Sequence, residues 1–242
     1  MRECLWTVSG SDQVYGSLYA PWPKEPSQGV LVLPHWGRDG RYLLEWCHRL
    51  ALGVARNGGC ALLLHWPGTE DSERRGGATG YDDLVLAALS TLGRGRERFP
   101  SLSWSLSGVR LGGTVAALAL GASDAAGAVL VEPELDPQAY LRERERRARA
   151  SYVRGYPHLG WGFYEKVPSQ LRDPMSREVI YDSLATARCP LTVVRYAGPA
   201  PAELPSNVRD RRVPGHRVYS TDHRRLRWET LRALRRPAKA AS

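Results

Sequence analysis

The chain predicts an α/β fold with a mostly parallel sheet, and three features carry that prediction. Gly29-Val30-Leu31-Val32-Leu33, Cys60-Ala61-Leu62-Leu63-Leu64, Ala126-Gly127-Ala128-Val129-Leu130-Val131 and Pro190-Leu191-Thr192-Val193-Val194 are continuous apolar runs, as expected of strands buried on both faces. Helical periodicity fills the sequence between them, and alternating strands and helices build parallel sheets. The third feature is Ser105-Leu106-Ser107-Gly108-Val109-Arg110-Leu111-Gly112-Gly113-Thr114, which reads as a buried strand, a tight glycine-flanked turn and the start of a helix of small apolar residues.

In chain order, residues 4–9 and 14–19 alternate like a hairpin around Gly10-Ser11-Asp12, and a proline-rich loop follows at 20–26. The 29–34 strand opens into His35-Trp36-Gly37-Arg38-Asp39-Gly40. Leu43, Cys47, Leu50 and Val54 recur at i, i+4, i+7 and i+11, one apolar stripe of a helix that Asn57-Gly58-Gly59 stops. The next strand leads into His65-Trp66-Pro67-Gly68-Thr69-Glu70-Asp71-Ser72, and a second helix runs from Tyr81 to about Leu92. A strand at 102–109, the turn, and a helix to about Leu120 come next, then the 126–131 strand ending at Glu132-Pro133-Glu134. Residues 136–187 are irregular, with an Arg-rich helix, and are expected to form a small lid insertion in a single domain spanning 1–242. A strand at 190–196, a proline-rich loop with Glu203, a short strand near 207–213 and a last helix capped by Asp222, with Leu226, Leu231 and Leu234 inward, complete the chain.

Composition narrows the classes. With 242 residues and 43% hydrophobic content the chain suits one domain with a substantial core. Cys4, Cys47, Cys60 and Cys189 are scattered without CxxC spacing, which argues against disulfides or zinc and for a reducing cytoplasm. No apolar run approaches the roughly 18 residues of a membrane span. The net charge of +9 invites a nucleic-acid partner, but the basic run at 142–149 alternates in sign, as a solvated helix face does. No zinc-finger or RNP-like motif accompanies it, so a small molecule is the expected partner. No motif implies a cofactor or metal.

Polar clusters follow each strand, where ligands bind in open parallel sheets. Strands that run into His35-Trp36-Gly37, Pro67-Gly68-Thr69-Glu70-Asp71-Ser72, Gly108-Val109-Arg110-Leu111-Gly112-Gly113 and Glu132-Pro133, with a late Gly215-His216, together resemble the α/β-hydrolase superfamily over nearly the whole chain. The Gly-Arg-Asp-Gly loop and the arginine at the turn most resemble the hydrolase-like proteins encoded beside exosortase systems. The resemblance implies the α/β-hydrolase fold, with helices on both faces of the sheet. It places the nucleophile position on Arg110, oxyanion N–H donors on Leu111 and on Trp36 or Gly37, the acid near Glu203, and the histidine at His216, with His223 second to it.

Guanidinium stays protonated and forms no acyl-enzyme, so the departure at Arg110 argues against serine-hydrolase chemistry. Ser105 and Ser107 lie within the strand, where their hydroxyls are expected to bond neighbouring backbone, and Cys47 lies on an apolar helical stripe; none suits a nucleophile. A cation at a helix N-terminus opposes the dipole, so an anion is expected beside Arg110. That anion is a substrate carboxylate or phosphate, or an internal carboxylate such as Glu132 or Glu203 plugging the site; both readings stay open. His35 is either a cleft acid–base or donor group or a structural hydrogen-bonding residue, and His65 is expected to pack with Trp66. Trp22, Trp36, Trp66 and Trp161 wall an aromatic pocket or fill the core. The leading expectation is an enzyme for a small anionic or acyl substrate that uses Arg110, backbone amides and His216 or His35. The alternatives are a non-catalytic ligand or partner protein, and a basic RNA-binding surface at 142–154 and 209–236.

Overall fold

The computed structural model describes residues 2–10, 12–36, 40–69, 72, 80–140, 142, 146, 175–196, 203–214 and 224–235. The elements in order are β1 (Arg2–Ser9), β2 (Asp12–Tyr19), β3 (Gly29–Leu33), α1 (Gly40–Arg56), β4 (Cys60–Leu64), α2 (Tyr81–Arg98), β5 (Trp104–Val109), α3 (Leu111–Leu120), β6 (Gly127–Val131), α4 (Arg177–Ala185), β7 (Leu191–Tyr196), β8 (Val208–Val213) and α5 (Arg224–Leu234). They form one eight-stranded sheet in the order β1-β2-β4-β3-β5-β6-β7-β8. Only the pairings of β2 with β1 and β4 are antiparallel; the rest of the sheet is parallel.

The apolar runs become the central strands for the reason the sequence gives. β3, β4 and β6 are buried at every residue, because helices cover both faces. Alternate strand residues divide between two cores. Leu31, Leu33, Leu62, Leu64 and Leu106 pack with Leu84, Leu92 and Val115 from α2 and α3. Val30, Val32, Leu63 and Val109 pack with Cys47, Leu50 and Val54 from α1 and Leu226 and Leu234 from α5. The predicted stripe of α1 is the buried one, and each large side chain fully removed from water contributes about 1.5–3 kcal/mol.

Three elements depart from expectation. Helix α2 continues past Leu92 to Arg98, through two glycines. A Cβ at Gly95 would meet the Trp104 ring at 2.7 Å, so the helix sacrifices intrinsic propensity to admit the indole. Within 136–187 the described residues include a helical turn at 137–140 and helix α4, which buries Ile180 and Leu184 and is capped by Ser176. The sequence gives α4 only two inward positions, too few to show a period. The Asp222 cap lies outside the described residues, while α5 starts at Arg224 with Leu226 and Leu234 inward as expected. Among the described residues no helix is long and apolar enough to cross a membrane.

Candidate functional site

Strand β5 ends at Val109, and Arg110 turns the chain into α3 with φ +51° and ψ −115°. That conformation is sparsely populated for an L-residue and holds only where the surroundings over-determine it. The glycines do so. A Cβ at Gly108 would lie 2.1 Å from the Gly112 carbonyl oxygen, and one at Gly112 would lie 2.2 Å from the carbonyl oxygen of Leu33. Strand, helix and the end of β3 therefore meet backbone to backbone. The Arg110 N–H donates to Val131 O (2.8 Å), and its carbonyl accepts from Gly113 N (2.8 Å), Thr114 N (3.1 Å) and Glu134 N (3.4 Å). Thr114 Oγ donates to Glu134 O at 2.7 Å, tying α3 to the segment after β6.

Arg110 is half-buried. Among the described residues no carboxylate pairs with its guanidinium, including Glu132 and Glu203. Glu132, 7% exposed, accepts from the Tyr196 N–H through Oε1 at 2.5 Å. Glu203 is exposed.

His35 follows β3 and is 3% exposed. Its Nδ1 accepts from the Leu111 N–H at 3.4 Å, and its Nε2 lies 3.1 Å from the Tyr140 hydroxyl. The N–H expected to bind an oxyanion thus faces an imidazole. Tyr140 escaped sequence reasoning, because it lies in a stretch with no periodic pattern and only the fold brings it to His35.

The other expected residues fall as follows. Trp36 is partly buried and packs against the core, and its indole N–H is buried with no hydrogen-bond partner among the described residues. Trp66, read as a pocket wall or core filler, is 1% exposed, packs within the core and donates to Pro34 O at 2.8 Å. Trp22 is 77% exposed. Gly37, Trp161, His216 and His223 lie outside the described residues. Ser107 is fully buried, yet its hydroxyl has no partner among the described residues, contrary to the expected backbone bond. His65, expected to pack with Trp66, sets its Nε2 3.3 Å from Ser17 Oγ and its ring centroid 4.7 Å from that of Tyr15. Cys47 is 0% exposed and lies in the core as expected, and that burial raises its thiol far above its ordinary value. Among the described residues no His, Cys, Asp and Glu group could hold a metal ion.

A strained arginine at the tip of a central parallel strand, clamped by two glycines and followed at once by a helix, defines this as a protein of the α/β-hydrolase fold in which arginine stands at the turn. Solved structures share that fold across the chain. An alpha-beta serine hydrolase homologue from Coxiella burnetii matches at 14% identity and TM-score 0.62, over 96% of this chain and 97% of that one. The Pyrococcus furiosus esterase Pf2001 matches at 13% identity and TM-score 0.70, over 98% and 91%. Est1E from Butyrivibrio proteoclasticus, solved with ferulic acid, matches at 12% identity and TM-score 0.65, over 96% and 98%. No protein-family model and no curated protein matches the chain.

Proposed function

We propose that this protein is an enzyme acting on a small anionic or acyl substrate (an ester, thioester or carboxylate) without a serine nucleophile. The observation that carries the reading is Arg110 itself. Its backbone is held at φ +51° at the head of α3, and its guanidinium has no ion pair among the described residues. A strained backbone costs about 1–3 kcal/mol. A cation against a helix N-terminus adds about 0.3–1 kcal/mol. An arriving carboxylate or acyl oxygen offsets the second cost, gripped by the guanidinium and by the Leu111 N–H once His35 gives it up. Among the described residues His35 is the histidine that contacts that turn, and it serves as general acid–base, activating water or moving a proton within the substrate, a role the sequence also offers to His216. The hydrolase-fold neighbours include esterases, which supports the choice of acyl chemistry.

A panel of short carboxylates in thermal-shift assays, with p-nitrophenyl acetate hydrolysis alongside, tests the reading. At least one carboxylate raises the melting temperature of the wild type, and Arg110→Ala abolishes the shift. A fluorophosphonate probe leaves every serine unlabelled. Unchanged shifts in Arg110→Ala, or a labelled serine, overturn the proposal.

One observation favours a second reading, a non-catalytic ligand-binding or partner protein: the Leu111 N–H is already met by His35. Carboxylate-dependent shifts with no turnover of any acyl ester would select it.

A further inference from the structure

A buried imidazole that accepts an N–H must offer a lone pair. His35 does so through Nδ1 toward Leu111, so the ring is neutral in this arrangement and its proton sits on Nε2. Nε2 faces the Tyr140 hydroxyl at 3.1 Å, and the two rings meet edge to face with centroids 6.0 Å apart at 83°. The phenol oxygen therefore accepts from Nε2–H. Tyr140 is itself held in helical backbone, at whose start Asp136 Oδ1 accepts from Ala139 N at 2.7 Å and Asp136 O accepts from Tyr140 N at 3.0 Å.

We propose that His35 is a proton-operated latch over the Leu111 amide, with Tyr140 as its positioning residue. The inference rests on the proposed function, because the latched N–H is the one offered there to a substrate oxygen.

The physical reasoning is short. A proton arriving on Nδ1 sets two donors against each other, so the contact with Leu111 breaks and its N–H is released. Tyr140 accepts from Nε2–H in both states, and more strongly from the imidazolium. Tyr140 thus favours the charged ring while the Leu111 amide opposes it. Among the described residues the surrounding charged and titratable groups belong to three elements. Arg110 precedes Leu111 at the head of α3 and opposes the proton. Glu134, after β6, is buried, donates its N–H to Arg110 O and interacts with Tyr81. Tyr81, at the start of α2, interacts with Tyr140 and Glu134 and is kept neutral chiefly by burial. An anion that takes the freed amide also accepts from the new Nδ1–H, so anion and proton bind together and each tightens the other.

The test uses the full chain labelled with 15N, followed by NMR from roughly pH 8 to pH 5 across the ordinary histidine range. Long-range correlations report the His35 ring nitrogens, and the backbone correlation reports Leu111. The expected result is an Nε2–H ring at high pH and a Leu111 amide that shifts with the His35 midpoint. Tyr140→Phe lowers that midpoint by roughly half to one pH unit, since it removes an acceptor the imidazolium uses most. His35→Asn, whose amide oxygen replaces Nδ1 without titrating, leaves Leu111 flat. A ring protonated on Nδ1 at high pH, a Leu111 amide that ignores the wild-type titration, or an unmoved midpoint in Tyr140→Phe overturns the latch. Added acetate separates the two proposals: if Leu111 tracks His35 while acetate leaves it unmoved at every pH, the substrate reading fails and the latch stands.

Discussion

Arg110 and Glu132 stand at the tips of adjacent parallel strands, both with positive φ (+51° and +47°) and with opposite charge, yet they do not pair. Glu132 directs a carboxylate oxygen to the Tyr196 N–H and so ties the end of β6 to β7. The carboxylate at the neighbouring strand tip is thus bonded to backbone across the sheet. The proposed substrate site draws on this separation.

Replacing Arg110 by glycine releases the backbone strain and the unfavourable cation. Strain relief of about 1–3 kcal/mol exceeds the roughly 0.4–1 kcal/mol by which glycine favours the unfolded chain. Arg110→Gly is therefore more stable by about 1 kcal/mol, a rise in Tm of roughly 2–4 °C in calorimetry. It also loses carboxylate binding. A lower Tm would mean the guanidinium stabilises the empty protein, and would count against the substrate site.

The glycine clamp predicts the opposite sign two residues on. A methyl group at position 112 meets two backbone oxygens, Leu33 O at 2.2 Å and Pro34 O at 2.4 Å, and neither can rotate away. Gly112→Ala is expected to lose about 3 kcal/mol or more in urea unfolding, at the upper end of overpacking effects. A loss under about 1 kcal/mol would show that β3 and α3 do not approach so closely.

Acid stability depends on the far edge of the sheet. Burial pushes the Asp210 carboxyl up, but hydrogen bonds from Arg195 (2.9 and 2.6 Å) and Arg212 (3.0 Å) outweigh it and hold the group below its ordinary value. A depressed carboxylate contributes stability above its unfolded pKa of about 3.9, and that contribution disappears as the pH falls through the folded value. Urea midpoints should therefore drop below about pH 4, and Asp210→Asn should lower the neutral-pH plateau and flatten that drop.

Thiol reactivity follows burial. Cys4 is exposed, Cys189 is partly buried, and Cys47 and Cys60 are fully enclosed. Burial raises the Cys60 thiol to about 12 and Cys47 further still, so neither forms thiolate at neutral pH. With Ellman's reagent the native protein is expected to react quickly at Cys4 and slowly at Cys189. Cys47 and Cys60 react only after unfolding. Prompt labelling of Cys47 would contradict the packing of α1 on the sheet.

The sequence alone determined the strands, the stripe of α1 and the turn at Arg110, because each depends on local patterns. Fully apolar runs demand burial on both faces, a period near 3.6 demands one buried face, and glycines two residues either side of a strand tip demand close backbone approach. Helix α4, with two inward residues, lacked that periodic signal, and the need for glycine at position 95 of α2 was set by the distant Trp104. The site divides the same way. Arg110 and Leu111 were legible from their place in the turn. That Leu111 faces His35, that His35 meets Tyr140 and that Glu132 turns to Tyr196 depended on residues 64 to 105 positions apart in sequence. Such contacts leave no periodic trace in a chain; only the packing of the strands side by side decides which strand tips become neighbours.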